Sequence, residues 1–129
     1  MAAWAVLAAA GVASGACSAE EPAPSFARDI VPLLKQRCAS CHLTGDEPGG
    51  MALNPKAAYR SLVGAASQQS PLVRVAPGRV QDSYLMAKLT NRQAEAGGYG
   101  DPMPLDGWPL ADADIEMVRR WIAAGAPDN

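Results

Sequence analysis

The chain has 129 residues, a single domain's worth; once its first two dozen are set aside, about a hundred remain, enough for one small core but not for two. A formal net charge of -2 provides no basic field, which argues against nucleic acid as a partner. Aromatics make up only 5% and Phe26 is the single phenylalanine, so the core must be aliphatic or built around something else; with 12 glycines and 11 prolines, a chain this small gains much from an internal staple such as a cofactor.

Residues 1–24, MAAWAVLAAAGVASGACSAEEPAP, open with an apolar run that falls short of the roughly 20 apolar residues a transmembrane helix needs. The run reads as the h-region of a secretory signal followed by small residues suited to cleavage, although no Lys or Arg precedes Arg28 to form a basic n-region. SGAC (14–17) resembles a bacterial lipoprotein signal, with Ser14 where Leu is usual. Two readings stay open: lipidation of Cys17, or ordinary cleavage near Ala16 or Ala19. Both predict export, to the periplasm or to a lipid-anchored position at its membrane surface. EEPAPS then reads as a short tether, and the domain proper as residues 25–129.

Along that domain, SFARDIVPLLKQRC (25–38) carries Phe26, Ile30, Leu33 and Leu34 at helical spacing. Ser25 and Asp29 are both candidate N-caps, and Pro32 favours a helix starting near Asp29, because proline is tolerated in the first turn. Asn54-Pro55 predicts the start of a short helix through Leu62. PLVRVAPGRVQDSYLMAKLT (71–90) predicts an extended start, a turn at Pro77-Gly78, and a helix capped by Asp82 or Ser83 with Leu85 and Leu89 on one face. AEAGGYGDPMPLDGWP (94–109) is loop. The last helix, within 110–125, has Ile115, Val118, Trp121 and Ile122 at three- and four-residue spacing and ends at Gly125. Phe26 and Trp121 are expected to join the first and last helices. The fold class is all-α with long loops, and loops of that length in so small a domain suit wrapping a ligand.

Cys38, Cys41 and His42 form C-x-x-C-H, the attachment pattern of haem c: two thiols add across two vinyl groups of one haem, and the adjacent imidazole reaches its iron. A structural zinc site would need a fourth ligand, and neither a fourth Cys nor a second His exists to supply it. A thioredoxin-like pair would need a βαβ context that the helical pattern lacks. The mature chain resembles the monohaem c-type cytochromes of the bacterial class I type, through FARDIVPLLKQRCASCH (26–42), PGRVQDSYL (77–85), MP (103–104) and WIAAGA (121–126). The resemblance implies a small cytochrome c fold around one covalently bound haem.

With a single His, a second axial ligand must come from elsewhere, and a methionine thioether is the natural choice. Met86 and Met117 fall within helices, where filling core is the ordinary role, and Met51 follows His42 by only nine residues. Met103 sits in the loop between Pro102 and Pro104, which stiffen it, and the family's Met-Pro also selects it. The other ring nitrogen of His42 is expected to meet a carbonyl at Pro48 or near Asn54-Pro55. Arg74, Arg79, Tyr99 and Trp108 are candidates for contact with the haem propionates. The function expected is one-electron transfer with transient redox protein partners rather than enzymatic catalysis. The alternatives are a haem c subunit of a larger redox enzyme, or a sensor or peroxidase with an open sixth site.

Overall fold

The computed structural model describes Met1, residues 21–107 and residues 109–129; the leader, with Cys17, and Trp108 lie outside the described residues. The first helical segment starts at Ser25, whose hydroxyl accepts from the Arg28 N–H at 3.2 Å while its own N–H donates to Asp29 Oδ2 at 2.7 Å. Both candidate caps therefore take part, Ser25 as the cap and Asp29 as the reciprocal acceptor. Helical structure begins three residues before Asp29, but only as a π-turn, and Pro32 lies in the first turn of the α-helix proper as expected. Phe26–Ile30 is a π-helical turn that runs directly into α1 (Val31–Arg37). A proline ring meets the carbonyl four residues back, and here the turn ahead of it is widened: the Val31 N–H reaches Phe26 O, five residues away.

α2 is short, Ala58–Leu62, and the turn before it is organised by Asn54, whose side chain accepts from the Lys56 N–H and whose carbonyl accepts from Ala57 and Ala58. The chain then runs extended through Val73 and Val75. These pair as isolated bridges with Ala66, Ser83 and Val63, and no strand forms among the described residues. A 3-10 turn, Val80–Asp82, leads into α3 (Tyr84–Leu89). Ser83 precedes α3, but its hydroxyl turns inward to accept from the Ala76 N–H at 2.9 Å and to donate to Arg79 O at 2.9 Å, pinning the Pro77-Gly78 turn instead of capping the helix.

α4, Asp112–Ala123, is the longest helix, with Asp112 and Asp114 in its first turn and Arg120 in its last, in the sense the helix dipole favours. Gly125, at φ +98°, turns the chain out of it. No helix among the described residues is long and apolar enough to cross a membrane.

The core is aliphatic around one aromatic group. Phe26 stacks on Trp121 with ring centres 5.4 Å apart and meets the Tyr59 ring edge-on at 5.1 Å. Thus the first helical turn, α2 and α4 share one contact, extended by Ile30, Leu62, Val118 and Ile122, all buried. Trp121 is 0% exposed and its indole N–H donates to Pro127 O at 3.0 Å. Asn129 fastens the chain's last residue to its first turn, accepting from Ala27 N–H and the Ser25 hydroxyl on its main-chain oxygen. Trp121→Ala is expected to destabilise the fold by about 3–5 kcal/mol, in the range for truncating a large buried aromatic. Trp121→Phe should lose much less, chiefly the indole hydrogen bond, worth about 1 kcal/mol. Urea unfolding followed by circular dichroism measures both.

Candidate functional site

Beyond α1 the backbone keeps curling: Cys38 N–H donates to Leu34 O, and both Cys41 and His42 N–H donate to Cys38 O at 3.1 Å. That single turn carries both thiols and the imidazole to one cavity of about 220 Å³. Its walls are mostly apolar, with Leu34, Leu53, Leu62, Leu85 and Leu89 among them. Two methionines reach it, Met51 and Met103. Its charged lining is lopsided: Arg37, Arg74 and Lys88 stand against Asp106, beside the single imidazole.

Cys38 is half-buried and Cys41 exposed, and neither is in a disulfide. Burial pushes the Cys38 thiol up to about 11; nearby Arg37 opposes this and Cys41 adds to it. A thiol–disulfide exchange pair needs the opposite, a thiol lowered toward neutrality so that thiolate is present. Nor do the thiols and the imidazole converge as ligands of one ion would: among the described residues, no three His, Cys, Asp or Glu side chains form such a set.

Burial holds the His42 imidazole below its ordinary pKa; Glu47 and the Pro48 carbonyl oppose this, while Arg74 and Lys88 reinforce it. The neutral ring, the form that ligates a metal, is therefore favoured at neutral pH. Its Nδ1 is buried without a hydrogen-bond partner among the described residues. The Pro48 carbonyl is near enough to favour a proton on the ring without reaching hydrogen-bond geometry. Of the two carbonyl regions expected from the sequence, Pro48 is the one beside the ring. Asn54 instead donates its side-chain N–H to Leu43 O at 3.1 Å.

The two methionines come from different walls. Met51 belongs to the loop bonded to the histidine's own backbone, where Leu53 N–H donates to His42 O at 2.9 Å. Arg74 secures that loop from behind: its guanidinium donates to Gly49 O at 2.8 Å, Gly50 O at 3.0 Å and Ser61 O at 2.7 Å. Met103 belongs to the other loop, and its N–H donates to Lys88 O in α3 at 3.0 Å. The Lys88 ammonium donates to Tyr99 O and Asp101 O, and Arg37 donates to Gly107 O at 3.0 Å on the far side of Met103. Burial lowers the Lys88 pKa, and Asp101 partly restores it.

Cys38, Cys41, His42, Met103 and Arg74 are thus brought together. Arg79 is not: it is exposed, 3.7 Å from Asp82, and takes no part in the cavity wall. Tyr99 is 63% exposed and contributes its carbonyl, not its ring, to the neighbourhood. Met86 and Met117 pack with the core, as their helical positions suggested. Sequence reasoning passed over Lys88 and Arg37. A lysine within α3 and an arginine at the end of α1 carry no local sign of burial or of a loop closing over them. No protein-family model, curated protein or solved structure matches the chain.

Two outcomes test this geometry. Arg74→Met keeps the stem but strands three carbonyls; a buried acceptor left without its donor costs about 1–3 kcal/mol, so the loss should reach at least that range in urea unfolding. Glu47 is held down to about 2, first by its own backbone N–H, then by those of Gly45 and Thr44. A carboxyl lowered in the folded state stabilises above its ordinary 4.5, and that contribution disappears as pH falls toward 2. Wild type should therefore lose more stability than Glu47→Gln between those pH values, as read by thermal melts across the interval.

Proposed function

We propose that the cavity holds one covalently attached haem and that the protein carries single electrons between other redox proteins, on a small fold of the cytochrome c type. The observation that carries this reading is the sharing of one cavity by Cys38, Cys41, His42 and Met103. The donor set fits the group: two thiols for the vinyl carbons, a neutral imidazole for one side of the iron, a thioether for the other, and aliphatic walls for the ring. The excess of lining cations, Arg37, Arg74 and Lys88 against Asp106, suits its two carboxylates. Arg79 and the Tyr99 ring drop out of that role.

When bound, the haem supplies an iron that alternates between ferrous and ferric states. The chain's residues do the rest. Cys38 and Cys41 would each add sulfur and hydrogen across one vinyl group, fixing the ring to the end of α1. His42, kept neutral by burial, would present Nε2 to the metal, with the Pro48 carbonyl beside the ring as the nearest acceptor for Nδ1. Met103, from the opposite loop, would supply its thioether as the second protein ligand. With both ligands supplied by the protein, the site would hold its metal without leaving a position for substrate, which suits electron transfer. Met51 is the weaker candidate because its loop hangs from His42's own backbone.

Expressed with a haem-attachment system, the protein should carry one haem per chain that survives denaturing electrophoresis. The Cys38→Ala, Cys41→Ala double variant should carry none. The oxidised protein should show the red charge-transfer absorption of thioether-ligated ferric haem, and Met103→Ala should abolish it while keeping the covalent haem. Persistence of that absorption in Met103→Ala would assign the thioether to another residue. Rapid, tight carbon monoxide binding by the reduced wild type would favour a sensor or an enzyme over a carrier.

A further inference from the structure

We propose that Lys88 is the positioning residue for Met103, a role that rests on the His42–Met103 reading above. One residue of α3 holds the methionine loop through both its backbone and its side chain. Its carbonyl accepts the Met103 N–H at 3.0 Å, and its ammonium donates to Tyr99 O at 2.8 Å and Asp101 O at 3.0 Å. Gly100 O, between those two, is taken by the Gln93 side-chain N–H at 2.9 Å. Three successive carbonyls just ahead of Met103 are therefore captured by side chains from α3 and the residues following it.

The arrangement around Lys88 is built for this. The side chain is 6% exposed, its ammonium lies 5.6 Å from the centre of the Tyr84 ring, and the Tyr84 hydroxyl also donates to Tyr99 O at 3.3 Å. Gly98 lets the loop lie directly on Tyr84, where a Cβ would overlap the phenol. Burying an ammonium is expensive, and an aliphatic residue would pack as well at lower cost. What the ammonium adds is charge-assisted hydrogen bonding, about twice as strong as the neutral kind, applied to the stretch that leads into Met103. A thioether is a weak ligand, so its iron bond depends on the loop being held in place beforehand. Arg37, on Gly107 O, steadies the loop's other shoulder.

The experiment uses the haem-loaded protein and its Lys88→Leu, Lys88→Gln and Lys88→Arg variants. Lys88→Leu should keep its covalent haem and helical circular dichroism but lose most of the thioether charge-transfer absorption. Lys88→Arg, which retains a cation with several donors, should recover most of it, and Lys88→Gln should fall between. A Lys88→Leu protein with the full absorption, alongside a Met103→Ala protein that lacks it, overturns the positioning role and leaves the ligand assignment standing. Absorption missing from the wild type, or retained in Met103→Ala, overturns both. Hydrogen exchange on the wild type tests the same point without a substitution: the Met103 amide should exchange as slowly as amides inside α3. Exchange at the rate of an open loop overturns the proposal even where Lys88→Leu fails to fold.

Discussion

Arg74 donates to three backbone carbonyls and Lys88 to two, and the loops of this small protein are held in place by those bonds. With short helices and no strand among the described residues, few backbone ladders reach the loops, and their carbonyls need other donors. Arginine and lysine supply several donors from one stem, and a hydrogen bond to a charged group contributes about 1.5–3 kcal/mol, more than a neutral one. Each cation is nonetheless largely withdrawn from water, at 9% and 6% exposure, so removing its carbonyl partners would leave a buried charge unpaired.

The two cations divide the cavity between them. Arg74 fixes the Gly49–Gly50 turn beside His42, and Lys88 fixes the run from Tyr99 to Asp101 that leads to Met103. The cavity is thus bounded by two loops, each tied to a separate part of the scaffold, and that scaffold is joined at the Phe26–Tyr59–Trp121 contact. The core adjoins the site: Leu34, Leu53, Leu62 and Leu89 belong both to it and to the cavity wall.

Much of this was legible in the chain. The periodic apolar residues of α4 form its buried face, and the contact expected between Phe26 and Trp121 is present as a stacked pair. Pro32 lies in the first turn of α1, where proline is tolerated, but a rule about prolines in α-helices does not foresee the π-turn that precedes it. Arg74 and Arg79 are the same residue type five positions apart, yet one is buried against three carbonyls and the other is solvated beside Asp82. The Pro77-Gly78 turn separates them and sends them to different sides, which no count of charges could anticipate.

The sequence by itself determined the grouping of Cys38, Cys41 and His42, because a spacing of three and one within a single helical turn leaves the chain little freedom to separate them. It also determined the amphipathic character of α4, since periodicity is a property of neighbours along the chain. Only the tertiary structure decided which methionines reach the cavity and by which wall. It also decided which arginine faces the cavity, and that a lysine in α3 is buried under the loop carrying Met103. Those outcomes depend on how loops close over helix faces, as where Lys88 in α3 donates to Tyr99 O and Asp101 O, and such closure is governed by packing between separate segments rather than by local preference.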